Sequence, residues 1–241
     1  MKFNLLSILL ILVFSIYNQN IIAQKDSCVC KEFNNDFKFI AERSFSPKTY
    51  NKDSLSKLSN EEILNTKSIE FAIFDTIPEA FSAFKNIETI TLKRIDWNEV
   101  TGLDLFPNLK NIKFLGKIVN LENNPKWLKN IEIIHAEKSQ FNGLKSFNQL
   151  PNLKELKFAF SGFDKFPSDF ENLQCLKHFE TGAHQGKIDL SKINLKNMPC
   201  LQYVKFHSWR KNLTGIPMNI DRIKNHSVHH GNLTEKDRKK Y

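Results

Sequence analysis

Six short segments of the chain share one pattern of apolar and polar positions. The first, fourth and sixth positions are nearly always apolar, and the segments begin at Ile87, Leu109, Ile131, Leu153, Leu176 and Leu201, at steps of 22, 22, 22, 23 and 25 residues. The fifth position is polar or charged in all six. Because successive side chains of a strand face opposite sides, the pattern predicts strands whose fourth and sixth positions enter a core and whose fifth position faces solvent.

This register recurs every 22 to 25 residues and resembles that of the leucine-rich repeat family, whose period is about 20 to 29 residues. The resemblance covers roughly residues 64–223, about seven repeats, and includes an earlier unit around Ile69 to Pro78. It implies an α/β solenoid in which each repeat places a parallel strand on a concave face and a helical or irregular segment on the convex side. The family's usual asparagine at the ninth position is absent, so we expect irregular loops after the strands.

The return segments between the strands carry the second apolar group. Pro107, Pro151 and Pro199 each stand two residues before a repeat opens, where a proline suits a corner. The chain has 21 phenylalanines, and several fall where the return segment must pack inward. We predict an aromatic spine through the core, formed by Phe81, Phe84, Phe106, Phe147 and Phe170 together with Trp97 and Trp127.

The chain outside the repeats divides into three parts. We predict that residues 1–23 are a signal peptide, because an apolar run of 12 residues, Leu5 to Ile16, follows Lys2 and is too short to span a membrane. Residues 24–63 form an N-terminal cap that includes a helix start, with Ser59 and Glu62 in a capping box. Residues 224–241 form a C-terminal cap or tail, with a short helix capped by Thr234. We therefore expect one domain of a secreted, periplasmic or cell-surface protein with no transmembrane segment.

Four cysteines in an exported chain favour disulfide bonds. Cys175 and Cys200 each stand one residue before the first strand position of adjacent repeats, about 4.8 Å apart if the strands pair. The register thus predicts a Cys175–Cys200 bond, with two adjacent buried thiols as the alternative. Cys28 and Cys30 are expected at the far end, bonded to each other, to another molecule, or free. The residues before Cys28 do not form a lipobox.

Charge and motifs limit the classes of function. Without the signal peptide the chain has 34 lysine and arginine residues against 26 aspartate and glutamate residues, a net charge of +8. That balance suits an anionic glycan, a lipid headgroup or an acidic protein, or is simply a solvated surface. The chain has no nucleic-acid motif, so we expect no nucleic-acid partner. It also lacks phosphate-binding loops and catalytic signatures, so we expect that the protein is not an enzyme and has no cofactor. We also expect no metal site, although His226, His229 and His230 lie close together in the sequence.

The predicted strand face supplies the candidate binding residues. Its fifth-position column and the C-terminal end of the face, where tyrosine, tryptophan and arginine gather, contribute Lys113, His135, Lys157, His178, Glu180, Tyr203, Lys205, His207, Trp209 and Arg210. We predict a non-catalytic module that recognises a protein partner on the concave strand face. The alternative is a basic surface adhesin that binds anionic polysaccharide, and a hydrolase ranks third.

Overall fold

The computed structural model describes residues 28, 30, 37–46, 55–72, 74–93, 98–182, 187–208 and 213–240. The predicted signal peptide, residues 1–23, lies outside this part of the chain, as does Trp97.

One parallel sheet of nine strands organises the described residues. In spatial order its strands are β1 (Arg43–Phe45), β2 (Ser68–Ala72), β3 (Thr89–Lys93), β4 (Asn111–Leu115), β6 (Ile133–Glu137), β8 (Glu155–Ala159), β10 (His178–Thr181), β12 (Tyr203–Ser208) and β14 (Asn225–His230). Spatial order follows chain order, so each unit is added beside the preceding one. The prediction of repeating parallel strands is confirmed.

The sheet register places equivalent positions of successive units side by side. Ile90 pairs with Ile112, Ile112 with Ile134 and Ile134 with Leu156, and all four side chains are buried. The predicted fourth position therefore forms a continuous apolar column on one side of the sheet. Side chains at the third and fifth positions consequently lie on the opposite side.

The return segments are short and pack against this column. Each contains a 3₁₀ helix, at Glu79–Ala83, Leu103–Leu105, Lys126–Asn130, Phe147–Gln149, Phe170–Asn172, Leu190–Lys192 with Leu195–Asn197, and Ile220–Arg222. Short parallel strands join some of them: β5 (Ile118–Asn120), β7 (Gln140–Asn142) and β9 (Gly162–Phe163) form one small sheet, and β11 (Ile188–Asp189) and β13 (Leu213–Thr214) form another.

The aromatic spine predicted from the sequence is present in the core. Phe81, Phe84, Phe106, Phe147 and Phe170 are at most 1% exposed, and Trp127 is buried beside them. Most ring pairs meet edge to face, such as Phe147 with Phe170 at 5.6 Å between centroids, which is a favoured geometry for aromatic pairs. The phenylalanines thus fill the space between the sheet and the return segments.

Serine side chains form hydrogen bonds with backbone groups in the turn after the strands. Ser139 Oγ accepts from the backbone N–H of Lys117 at 3.1 Å and donates to the Glu137 carbonyl, while Ser161 Oγ accepts from the Ser139 N–H at 2.9 Å. The preceding residue is left-handed in three consecutive units, at Gly116, Lys138 and Phe160. In these three units the loops are therefore regular rather than irregular, and in two of them a buried serine stands where the family has asparagine.

A second ladder runs along the turn before the strands. Side-chain amides donate to a backbone carbonyl of the preceding unit at 2.7 to 2.9 Å, in Asn86, Asn108, Asn130 and Asn152. This column stands immediately before the first apolar position of four repeats, outside the predicted apolar pattern. In the next two units Cys175 and Cys200 take the same place.

Both ends of the sheet differ in part from the prediction. Helix α1 (Asn60–Asn65) has the predicted capping box between Ser59 and Glu62, and helix α2 (Glu235–Lys240) begins one residue after Thr234. However, β14 lies within the predicted C-terminal tail and pairs with β12 over six residues. The three histidines of that tail are therefore in a strand, because the parallel register continues one unit beyond the recognisable repeats.

Loss of the serine ladder should destabilise the protein. We expect Ser139→Ala to lower the free energy of unfolding by about 1–3 kcal/mol, because the buried Lys117 N–H would lose its acceptor. Urea unfolding followed by circular dichroism measures the change. Ser168→Ala, at an exposed serine, is the control and should stay within ~0.5 kcal/mol of the parent; equal losses in both variants would contradict the role of the ladder.

Candidate functional site

The strand face is the side of the nine-stranded sheet that points away from the core. Its fifth-position column is continuous: the register pairs Lys113 with His135, His135 with Lys157, Lys157 with Glu180 and Glu180 with Lys205. The neighbouring column brings His178 beside Tyr203, and His207 lies further along β12. Trp209 and Arg210 lie outside the described residues.

A carboxylate that was not among the predicted binding residues stands at the centre of this face. Glu155 is 1% exposed, and its Oε1 receives Nε2 of His135 at 2.5 Å and Nζ of Lys157 at 2.6 Å. Burial works to raise the pKa of Glu155, but the hydrogen bonds and positive charges of His135 and Lys157 outweigh it and hold that pKa below its usual range. His135 and Lys157, both predicted as binding residues, are thus engaged in ion pairs with the buried carboxylate.

The sequence register already places Glu155 on the strand face, although it was not among the predicted binding residues. It occupies the third position of its repeat, where the neighbouring units have Ile133 and His178, so an acidic group there faces the same side as His135 and Lys157. The pattern gave no signal that this position is buried.

His178 is buried on the strand face rather than exposed. It is 5% exposed, and its ring stacks on Tyr203 with centroids 4.1 Å apart and 15° between the planes. Burial and the charge of Lys157 lower the pKa of His178 to about 4, so the ring is neutral at physiological pH. Within the described part of the chain, neither ring nitrogen of His178 nor Oε2 of Glu155 has a hydrogen-bond partner. A ligand cannot reach His178 directly in this conformation.

The N-terminal strap, residues 37–42, lies over the strand face. The ring of Phe39 contacts the ring of His135 at 4.8 Å between centroids, and Phe37 packs edge-on against Phe39 at 5.0 Å. At its end the backbone N–H of Glu42 donates to Ser68, to the carbonyl at 3.3 Å and to Oγ at 3.0 Å. The chain then continues as β1, paired with β2.

Side chains of the strap alternate between the face and solvent. Residues 37, 39 and 41 are half-buried, whereas residues 38, 40 and 42 are exposed, and Ile40 is 71% exposed. This alternation is that of an extended chain with one side on a surface. Part of the segment predicted as the N-terminal cap therefore lies over the candidate site.

The predicted Cys175–Cys200 bond is wrong. Cys28 is bonded to Cys175 and Cys30 to Cys200, with Cα atoms 5.1 and 4.9 Å apart. Cys175 and Cys200 are adjacent, as predicted, but they occupy the column in which asparagines of other units all extend in the same direction. Cys28 and Cys30 thus join the N-terminal region to two adjacent units.

The C-terminal part of the strand face remains accessible. Lys205 Nζ binds Glu180 Oε1 at 2.8 Å, and that hydrogen bond raises the pKa of Lys205. Burial, together with the charge of Lys205, lowers the pKa of His207. Tyr203 and His207 are half-buried, and His229 on the adjoining strand is exposed. The result is a small amphipathic surface of aromatic, imidazole and paired charged groups.

No protein-family model matches the chain, and no curated protein matches it either. Within the described ranges no group of three or more histidine, cysteine, aspartate or glutamate side chains is arranged to hold a metal ion. No helix in the part of the chain that the structure describes is long and apolar enough to cross a membrane. The two disulfide bonds are those of a protein from an oxidising compartment.

Peptide mapping tests the cysteine pairing. Digestion of the unreduced protein should release peptides that join Cys28 to Cys175 and Cys30 to Cys200, because each pair lies within bonding distance. Mass spectrometry before and after reduction identifies them. A peptide that joins Cys175 to Cys200 would show that the cross-links stay within adjacent repeats.

The buried His178 should make stability depend on pH. Its pKa is about 4 in the folded chain and near its ordinary value of 6.5 in the unfolded chain, so the unfolded state binds more protons between these values. Stability should be fully present above pH 6.5 and fall by a few kcal/mol at most as the pH drops toward 4. Urea unfolding at pH 7.5 and 5 measures this loss.

Two variants test the source of this loss. His178→Phe should show a smaller drop in the free energy of unfolding between pH 7.5 and pH 5, whereas the surface control His229→Phe should show the same drop as the parent. If His178→Phe keeps the parent's full loss, His178 is not its source.

Proposed function

We propose that the chain is an exported leucine-rich repeat protein and a non-catalytic binding module that recognises a protein partner on the strand face. One observation carries the proposal: the sheet register holds Tyr203, Lys205 and His207 on one strand, with accessible side chains beside Glu180 and His229. A preformed surface of this kind binds with little ordering cost.

The chemistry of this surface suits a protein more than a simple polyanion. Tyr203 supplies an aromatic side chain of a type that often dominates interface energies. Glu180 already pairs with Lys205, so the strand face has no single-sign charge. A partner would therefore contact aromatic and imidazole groups bordered by an ion pair.

The alternative function, a basic adhesin for anionic polysaccharide, has one observation in its favour. Residues 171–241 contain thirteen lysine and arginine residues against six aspartate and glutamate residues, so most of the net positive charge belongs to the last units. Several of these cations are exposed away from the strand face, as Lys192 and Lys196 are in the return segment. An anionic polymer would use that surface instead.

A capture experiment with matched variants separates the two functions. Mature protein, Tyr203→Ala and Lys196→Ala are immobilised and exposed to envelope and culture extracts at physiological salt. If a protein partner binds the strand face, Tyr203→Ala should weaken capture of that protein by about thirtyfold, corresponding to a loss of ~2 kcal/mol, and Lys196→Ala should not.

A basic adhesin would give a different pattern of capture. Capture of polysaccharide alone, equal for parent and Tyr203→Ala, weakened in Lys196→Ala and abolished by higher salt, would favour the basic adhesin, because exposed charges are screened by salt.

A further inference from the structure

The strap is an imperfect cover for the surface on which it lies. Phe37 and Phe39 are only half-buried and Ile40 is 71% exposed, although apolar side chains of a permanent core element are normally enclosed. The described backbone of the strap donates to the sheet only at Glu42, at the very end of the segment. The strap therefore contacts the face mainly through alternate side chains.

The surface beneath the strap has unused binding capacity. Ile133 is buried although it lies on the strand face, and the ring of His135 supports Phe39. Close by, Oε2 of Glu155 and both ring nitrogens of His178 are buried without a hydrogen-bond partner among the described residues. Buried polar groups are normally satisfied in a native structure, so the present cover does not match all the groups of this surface.

Disulfide bonds anchor the chain that precedes the strap. The two disulfides fix Cys28 and Cys30 to the units of β10 and β12, and β1 fixes the other end of the strap to β2. A segment fixed at both ends stays over the face at high effective concentration even when its own contacts are weak. The tethers therefore hold the strap over the face in addition to its own contacts.

We propose that the strand face around Ile133, His135 and Glu155 is a binding surface for an extended peptide segment with aromatic residues at alternate positions, and that the strap fills it as an internal competitor. This inference rests on the proposed function and names the partner's chemistry. Phe37 and Phe39 show how such a peptide sits: alternate side chains enter the face and the intervening ones stay in solvent. A better-matched peptide would also donate a hydrogen bond to Oε2 of Glu155, beside His135.

The test uses full-length mature variants. The released variant combines Cys28→Ser and Cys30→Ser with Phe37→Ala and Phe39→Ala, which removes the disulfide tether and the two aromatic side chains that contact the face. Its matched control combines the same serine substitutions with Lys38→Ala and Ile40→Ala, on the solvent side of the strap. Circular dichroism and urea unfolding establish that each variant is folded, and reduction of the unaltered protein provides a second route to release.

The first measurement tests whether His135 is uncovered when no binding partner is present. Diethylpyrocarbonate labelling, read by mass spectrometry, should rise at least fivefold at His135 in the released variant, while the exposed His229 serves as internal reference. The control variant should show a smaller rise, because Phe37 and Phe39 remain. Unchanged labelling of His135 in the released variant and in the reduced protein would overturn the proposal.

The second measurement reports binding of a defined probe. A fluorescent peptide with the sequence of residues 37–45 should bind the released variant at least tenfold more tightly than the unaltered oxidised protein, by fluorescence anisotropy. The same peptide with alanine in place of Phe37 and Phe39 should lose this gain. If His135 is uncovered but the two peptides bind equally or not at all, the inference is wrong, whereas the capture experiment with Tyr203→Ala decides the proposed function separately.

Discussion

Parallel pairing of equivalent residues in one shared register is the constraint on which the rest of the molecule depends. A single unit, one strand and a short return segment, cannot enclose its own apolar side chains, and only its neighbours bury them. The register that stacks Ile90, Ile112 and Ile134 also aligns the serine and asparagine ladders on either side of the strands. The same alignment sets the columns of polar side chains on the strand face.

The disulfide bonds add a long-range connection to this local architecture. They join residues 147 and 170 positions apart, whereas the contacts between units join residues about 22 apart. In the chain-entropy model a first cross-link of that length stabilises the folded state by about 5 kcal/mol. Their structural consequence is more specific, since they bring the N-terminal region to the far units and place the strap between its two anchors.

The strand face consequently has two parts with different chemistry. Around β6 and β8 the strap lies over a polar cluster. There, His135 and Lys157 both form ion pairs with Glu155, so these side chains already have an internal partner. Along β12 the side chains of Tyr203 and His207 stay accessible beside the Lys205–Glu180 pair. One regular sheet thus presents a covered polar centre and an open amphipathic margin.

The sequence by itself determined the strand positions, the inward apolar columns, the aromatic spine and the capping box at Ser59, because each depends on local periodicity or on neighbours at a fixed spacing. Only the tertiary structure decided the partners of Cys175 and Cys200, the burial of Glu155 and His178, and the strand at Asn225–His230. The cysteine partners and the position of the strap depend on where a non-repeating segment crosses the sheet. Periodicity fixes which side of a strand a residue faces, but it contains no information about what covers that side.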